Sequence, residues 1–262
     1  MKSTILTGLL TGLVVSCFTT ATSCQPGYAR NNSLVSKIAI AASLRGLAST
    51  RVDLSVLVAS ESGAIDPKAE DFYNQGEEKY AKRDYQGAIA DFDRAIELNP
   101  NYFNAYIGRG NARDDSGDSR GAIADYDRAL KISPNNASAY YNRGVTQSRL
   151  GDTQAALSDF TQALKINPNY ASAYNNRGIA RQSLGDSQGA LADFEQAIKF
   201  NPNLPQAYGN RGNARERLGD KQGAIADIQK AAELFLQQGD KYNSVKARMK
   251  VKELQETPSI PQ

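Results

Sequence analysis

The sequence predicts an all-α protein in which helix-turn-helix units repeat in tandem and stack as a solenoid. Three sets of residues predict this fold because each recurs at one interval of 34 residues. The first set is proline, at Pro100, Pro134, Pro168 and Pro202. The second is glycine, at Gly76, Gly110, Gly144, Gly178 and Gly212. The third is alanine, at Ala88, Ala122, Ala156, Ala190 and Ala224.

The composition is that of a folded, soluble protein and excludes several kinds of chemistry. Of the 262 residues, 40% are hydrophobic and 23% are charged, and the net charge of +3 is too small to indicate nucleic acid or an anionic membrane as a partner. Histidine is absent, which removes the commonest general base and metal ligand. The two cysteines, Cys17 and Cys24, both lie near the N-terminus. The sequence therefore predicts no thiol chemistry beyond residue 24.

The first 24 residues have the plan of an export signal. Lys2 precedes an apolar run that begins at Ile5, and no further charge occurs before Arg30. The stretch VVSC at 14–17 resembles a bacterial lipoprotein box, which would make Cys17 the lipidated residue, and ATSC at 21–24 is a second candidate. Ordinary signal cleavage is the alternative. We expect an exported protein of the periplasm, lumen or cell surface. It would contact membrane only through an N-terminal lipid or an uncleaved signal.

Residues 25–68 form a poorly specified region that ends in a linker. A moderately apolar stretch, KIAIAASLRGLAS, and a partly alternating one, RVDLSVLVAS, lack strong boundary signals. We assign this region no function.

Each unit beyond residue 68 is predicted to contain two helices with a tight turn between them. Four turns carry a glycine suited to the left-handed conformation that ends a helix, at Gly117, Gly151, Gly185 and Gly219. An aspartate follows each glycine and is placed to cap the second helix. The proline ends that helix, because the residue before a proline disfavours helical conformation. The first unit has Arg83–Asp84 instead, so we expect its turn to be less favourable.

Together these columns resemble the tetratricopeptide repeat (TPR), a 34-residue unit with an aromatic residue, a glycine, an A-x3-F step and a closing proline. The resemblance implies a right-handed α-solenoid. Its two helices would cross closely at glycine position 8 and alanine position 20, with the aromatic residue of position 24 beside the crossing. The fifth repeat lacks the proline, so its second helix should continue further. With each proline at position 32, the repeats are 69–102, 103–136, 137–170, 171–204 and 205–238.

After the repeats, residues 239–256 are predicted to form a capping helix and residues 257–262 a disordered tail. A solenoid needs a terminal element with a polar outer face. The segment has a face rich in Lys and Arg, which we expect to point outward. The opposite face carries apolar residues at helical spacing, at Tyr242, Val245, Met249 and Leu254. The alternative to a cap is that this basic amphipathic helix binds a membrane or an acidic partner.

A recurring arginine and a recurring aspartate predict a ladder of ion pairs. Arginine occupies position 7 of the first helix at Arg109, Arg143, Arg177 and Arg211. Aspartate occupies position 23 at Asp91, Asp125, Asp159, Asp193 and Asp227. We expect partly buried pairs within each repeat, because the planar guanidinium binds a carboxylate through two donors. The alternative is an exposed basic stripe for nucleic acid, extended by Arg113, Arg181 and Arg215. Because the acidic column nearly matches the basic one, we expect no nucleic acid partner.

The resemblance also implies where a protein or peptide partner would bind. The concave groove of TPR domains is lined by positions 2, 5, 9, 12 and 13 of the first helices. In this groove Tyr141, Val145 and Ile179 would form an apolar middle. The early part would be acidic, and the later part would be positively charged; the residues are Glu70, Asp114 and Asp115 in the former and Arg149 and Arg217 in the latter. The predicted partner-binding residues at positions 5 and 9 are Tyr73, Glu77, Ile107, Asn111, Tyr141, Val145, Asn175, Ile179 and Asn213.

The sequence therefore predicts a non-catalytic scaffold that binds a protein or peptide segment in the groove. The alternative is a structural spacer that self-associates or is anchored in the envelope, and the sequence leaves the oligomeric state open. Carboxylate catalysis at pairs such as Asp91 and Asp93 is a third hypothesis. However, these pairs recur in register, which an active site has no need to do. We expect no cofactor and no metal.

Overall fold

The computed structural model describes residues 66–256, and these form eleven α-helices and no β-strand. The predicted signal peptide with Cys17, nearly all of the region 25–68 and the tail 257–262 lie outside the described residues. In chain order the helices are α1 (Pro67–Ala81), α2 (Tyr85–Leu98), α3 (Phe103–Asp115), α4 (Ser119–Ile132), α5 (Ala137–Arg149), α6 (Thr153–Ile166), α7 (Ala171–Ser183), α8 (Ser187–Phe200), α9 (Pro205–Arg217), α10 (Lys221–Gln237) and α11 (Lys241–Glu256).

The helices from α1 to α10 form five hairpins that stack in chain order. Each first helix packs along its own second helix, and each second helix then contacts the first helix of the next hairpin. α11 packs on α10 at the C-terminal end of the stack. The predicted all-α, right-handed solenoid with a C-terminal capping helix is therefore confirmed.

The turn inside each hairpin is built from local signals. Gly117, Gly151, Gly185 and Gly219 all have positive φ, between 87° and 100°. The aspartate after each glycine accepts a hydrogen bond from the backbone N–H three residues on, at 2.8–3.1 Å. These bonds satisfy a donor that the start of a helix would otherwise leave unpaired.

The first hairpin has the same turn without the glycine. Arg83 takes the left-handed conformation, with a φ of 63°, and Asp84 caps α2 by accepting a hydrogen bond from Gly87 N at 3.0 Å. A side chain at positive φ brings Cβ close to the following carbonyl, so this conformation costs about 1–2 kcal/mol. The predicted weakness of the first turn is confirmed by this geometry.

Glycine at position 8 lets the two helices of a repeat cross closely. A Cβ atom on Gly178 would lie 2.6 Å from a ring carbon of Phe194, and one on Gly110 would lie 2.7 Å from a ring carbon of Tyr126. Both aromatic rings are almost fully buried. The predicted packing role of position 8 against position 24 is therefore confirmed.

The fifth repeat ends differently from the others, as predicted from its missing proline. Helix α10 has 17 residues, whereas α2, α4, α6 and α8 have 14 each. After Gln238 comes another turn with the features of the hairpin turns: Gly239 has a φ of 81°, and Asp240 accepts a hydrogen bond from Asn243 N at 3.0 Å.

The two ends of the stack are finished unequally. Interior first helices bury an alanine at position 3, such as Ala105, and a small residue at position 10, such as Ala112. The first repeat has Asp71 and Glu78 at these positions, and both are exposed. The N-terminal end of the described stack is therefore polar at these two positions, as suits a solenoid terminus.

The prediction that the apolar residues of α11 face the solenoid was largely wrong. Leu254 is buried, but Tyr242, Val245 and Met249 are 77%, 56% and 68% exposed. The packed face instead carries Ser244 and Val251, which are also buried. Spacing alone could not show this, because small residues fit against α10 where the two helices lie close. Among the described residues, no helix is long and apolar enough to cross a membrane.

Candidate protein-binding surface

The candidate site is the surface formed by the first helices α1, α3, α5, α7 and α9, here called the concave surface. Successive first helices contact one another, whereas contacts between successive second helices are sparser. Helices that approach each other more closely lie on the inner side of a curved stack. The predicted binding residues of positions 5 and 9 are on these helices.

The predicted arginine–aspartate ladder is present in the second to fifth repeats. In the third, Arg143 Nε and Nη2 each donate a 2.7 Å hydrogen bond to Asp159. The fourth has the same two-donor geometry between Arg177 and Asp193, at 2.9 and 2.7 Å. The aspartates are buried, so each bonded pair also compensates a carboxylate that is removed from water. The remaining pairs are Arg109–Asp125 and Arg211–Asp227.

Two features of the ladder were not predicted. Arg143 Nη1 also bonds Asp127 of the preceding repeat at 2.5 Å, and Arg109 bonds Asp93 in the same way, so these arginines join neighbouring repeats. The guanidinium of Arg143 also lies 5.5 Å from the ring centre of Tyr140, a cation–π contact that recurs in the other ladder repeats. The recurring tyrosine, arginine and glycine are therefore parts of the scaffold.

The arginines that could have extended a basic stripe are also paired. Arg113 Nη1 lies 2.8 Å from Asp125, Arg181 Nη1 lies 2.8 Å from Asp193, and Arg215 bonds Asp227 at the same distance. These carboxylates neutralise the positive column. The stripe hypothesis for nucleic acid therefore loses the side chains on which it depended.

The two tyrosines of position 5 pack partly into the scaffold. The ring of Tyr141 lies 4.8 Å from that of Tyr170 and 5.9 Å from that of Phe160, and its hydroxyl accepts a hydrogen bond from Asn176 at 3.2 Å. Burial raises the pKa of Tyr141, and it raises the pKa of Tyr73 to about 12. Both phenols therefore stay neutral at physiological pH, with half-buried rings held in fixed positions.

The asparagines of the predicted set differ in what they offer a partner. Asn111 accepts hydrogen bonds from Asn142 and from the hydroxyl of Tyr126, each at 2.9 Å. Asn175 is buried and accepts from Asn210 at 2.9 Å. Only Asn213 among the three is exposed. Asparagines at position 6 thus donate hydrogen bonds to the position 5 and 9 side chains of the preceding repeat, and these bonds help to join neighbouring repeats.

The remaining predicted residues divide into apolar and acidic positions. Ile179 is 39% exposed, and Val145, on the neighbouring first helix, is half-buried. Ile107 is half-buried against the core around Tyr106. Glu77 is exposed. The apolar surface available to a partner is therefore centred on Ile179 and Val145, beside the fixed ring of Tyr141.

The acidic part and the positive charge that were predicted for different places in the groove belong to one network. Arg149 Nη1 lies 2.8 Å from Asp114 of the preceding repeat, and the same carboxylate accepts hydrogen bonds from Thr146 at 2.9 Å and Ser119 at 2.7 Å. Asp114 is buried. The carboxylate of Asp114 and the guanidinium of Arg149 are therefore paired with each other and are not separate charges of the groove. Only the 35-residue separation, close to one repeat, could have suggested this pair.

Within residues 66–256, no group of His, Cys, Asp and Glu is arranged to hold a metal ion. The acids considered for catalysis instead serve the scaffold: Asp93 bonds Arg109, and Asp91 lies 2.6 Å from the ammonium of Lys79. The described surface thus offers an apolar patch on a rigid, internally paired support.

Comparison with known proteins agrees with this architecture. Family models described as TPR repeat match residues 76–117 and 110–151, and models described as tetratricopeptide repeat match 137–170, 171–204 and 205–238. The chain belongs to the tetratricopeptide repeat family. Members of this family are protein-interaction scaffolds and are typically non-catalytic.

Several solved structures share the fold. A crystal structure of MamA is 27% identical, with a TM-score of 0.57, over 63% of this chain and 96% of that one. YrrB, described as a TPR protein with an unusual peptide-binding site, is 23% identical, with a TM-score of 0.55, over 74% of this chain and 97% of its own. PilF of Pseudomonas aeruginosa is 15% identical, with a TM-score of 0.58, over 71% and 91%. No curated protein sequence matches significantly.

Proposed function

We propose that this protein is an interaction scaffold that binds a segment of another protein against its concave surface, at an apolar patch formed by Tyr141, Val145 and Ile179. The observation that carries the proposal is the exposure of Ile179, at 39%, on a surface where most neighbouring side chains are paired. A large apolar side chain among satisfied polar groups suits an anchor residue of a peptide or helix.

The rigidity of the surrounding surface supports the same proposal. The ring of Tyr141 is held by Tyr170 and Phe160, and Asn176 fixes its hydroxyl. Because these side chains are already held in place, binding a partner would cost this protein little side-chain entropy. Two exposed polar residues lie further along the concave surface and could bond the backbone of the bound segment: Asn213 on α9, the first helix after that of Ile179, and Glu77 on α1, two first helices before that of Val145.

The test is cross-linking of the protein in cells, followed by identification of its partners. Val145→Asp/Ile179→Asp places two charges in the patch without removing a buried ring, so the variant should keep the helicity of the wild type. We expect it to lose the specific partners of the wild type. Tyr141 is left unchanged, because its truncation would disturb packing as well as binding.

The matched control is Leu184→Asp. Leu184 is 48% exposed and lies in the same repeat as Ile179, but at the end of α7, next to the turn. We expect this variant to retain the partners. An unchanged partner list for both variants would favour the alternative function, a spacer that has no ligand in its groove.

We further propose that the protein acts outside the cytoplasm, on the basis of its N-terminal sequence. Intact-mass measurement of the mature protein tests this. Cleavage near residue 24 without lipid would indicate plain secretion, and a diacylated Cys17 would indicate a lipoprotein. A mature chain that retains Met1 in the cytoplasm would contradict export.

A further inference from the structure

The exposed face of α11 is the largest departure of this solenoid from a closed, polar end. Tyr242, Val245 and Met249 are spaced by three and four residues, so they form one stripe along two turns of the helix. All three residues are more than half exposed. Among the other large hydrophobic residues of the described chain, only Leu150, at 53%, is also more than half exposed. We call these three residues the α11 stripe.

The position of α11 explains what kind of surface this is. The turn at Gly239–Asp240 has the positive φ and aspartate cap of the turns inside the repeats, so α10 and α11 form a further hairpin. In each of the five repeats, the next helix along the chain packs on the second helix of the hairpin. Within residues 66–256, no helix packs in this way on α11. The stripe is thus a helix-packing face without a helix.

The charges beside the stripe indicate what would cover it. Helix α11 carries five cations and two carboxylates, a net charge of +3. Lys241, Arg248 and Lys252 follow one another at intervals of seven and four residues, so they share one edge of the stripe. In the described part of the chain, Lys241 and Arg248 form no ion pair, and Lys252 has only an exposed contact with Glu256 at 3.7 Å. This edge is a row of available cations.

We propose that the α11 stripe is a second interaction site, which binds an amphipathic helix of a partner protein whose edge is acidic. The partner helix would lie along α11 as the helices of the solenoid lie along each other. Its apolar residues would cover Tyr242, Val245 and Met249, and its carboxylates would meet Lys241, Arg248 and Lys252. This site is on a different element from the concave surface, and it does not depend on the function proposed there.

Two other occupants fit the charges less well. A second copy of α11, packed antiparallel, would bring the edge of Lys241, Arg248 and Lys252 against itself, and like charges would repel. An anionic membrane would meet Glu256, which continues the line of Tyr242 and Met249 at an interval of seven residues. A membrane-binding helix also buries a longer apolar face than three residues provide.

The test uses a fluorescein-labelled synthetic helical peptide of about 18 residues, with leucines at intervals of three and four and glutamates along both edges of the leucine face. Binding to the full-length protein is measured by fluorescence anisotropy. We expect Tyr242→Ser/Val245→Ser/Met249→Ser to weaken binding by about tenfold or more. The three side chains are exposed, so the variant should melt at the wild-type temperature.

The matched control removes exposed apolar groups elsewhere. Leu150, Leu184 and Leu218 are 53%, 48% and 42% exposed at the turn ends of three first helices. Replacing all three with serine should leave peptide binding unchanged. Equal loss in the two triple variants, or no binding of the peptide to the wild type, would overturn the proposal.

A charge reversal tests the acidic edge separately. Lys241→Glu/Arg248→Glu/Lys252→Glu should bind the glutamate peptide about tenfold more weakly and should bind a lysine version of the peptide more tightly than the wild type does. If the wild type bound the glutamate and lysine peptides with the same affinity, the acidic partner would be contradicted. So would two other results: dimerisation in light scattering that the serine variant of the stripe abolishes, or co-sedimentation with phosphatidylglycerol vesicles that it abolishes.

Discussion

The ladder makes a prediction that depends chiefly on what occupies position 11 in two neighbouring repeats. In the third repeat both carboxylate oxygens of Asp159 bond only Arg143, because position 11 is Gln147. In the fourth repeat Asp193 bonds Arg177 and also Arg181, at 2.8 Å. Removing the ladder arginine should therefore leave Asp159 without a cation but Asp193 with one.

The expected magnitudes follow from burial. Asp159 and Asp193 are 4% and 2% exposed, so an unpartnered carboxylate at either place stays out of water. Arg143→Met should cost about 3–5 kcal/mol, the range for leaving one charge of a buried pair uncompensated. Arg177→Met should cost about 1–2 kcal/mol, because Arg181 still compensates Asp193. Both substitutions also remove a cation–π contact of nearly the same length, 5.5 and 5.4 Å, so that contribution cancels. Arg143→Met removes in addition the bond to Asp127, but this carboxylate is exposed, so its loss should add less than about 1 kcal/mol.

The assay is urea unfolding followed by circular dichroism, together with amide hydrogen exchange of α6 and α8, because a solenoid can lose stability locally. The control is Arg143→Met/Asp159→Leu, which removes both charges and should recover most of the loss. If Arg143→Met and Arg177→Met cost the same within about 0.5 kcal/mol, the backing role of Arg181 is refuted.

Two further predictions concern the backbone. Arg83→Gly should stabilise the protein by about 0.5–1 kcal/mol, because glycine adopts positive φ without steric cost and offsets part of that gain with its own chain entropy; the reciprocal Gly185→Arg should lower the melting temperature in calorimetry. Gly178→Ala should destabilise by about 1–3 kcal/mol, because its Cβ would lie 2.6 Å from the ring of Phe194; an unchanged urea midpoint would show that the ring can move aside.

Much of the fold could be predicted from single positions because its signals are local. The positive φ of Gly151 and the cap made by Asp152 involve residues within one turn of chain. The crossing of Gly144 with Phe160 spans only 16 residues inside one hairpin. These relations recur in each repeat, so the period of the sequence repeats the same physical constraint.

The candidate site was less predictable, because its side chains depend on the neighbouring repeat. Asn175 occupies a groove position of the family, yet it is buried, and its side-chain oxygen accepts a hydrogen bond from Asn210. Asp114 has the charge of a surface acid, but Arg149 and Thr146 of the next repeat surround it. Whether a groove residue is free thus depends on which residue stands about one repeat further on.

The sequence by itself determined the repeat, the hairpins, the turns and the arginine–aspartate pairing, since each rests on contacts within one 34-residue unit. The tertiary structure alone decided which polar residues of the concave surface are already bonded. It also decided which face of α11 packs inward. Helical spacing puts Tyr242 and Met249 on one face, but the close approach of α10 admits Ser244 and Ala247 there instead, and the larger side chains remain in solvent.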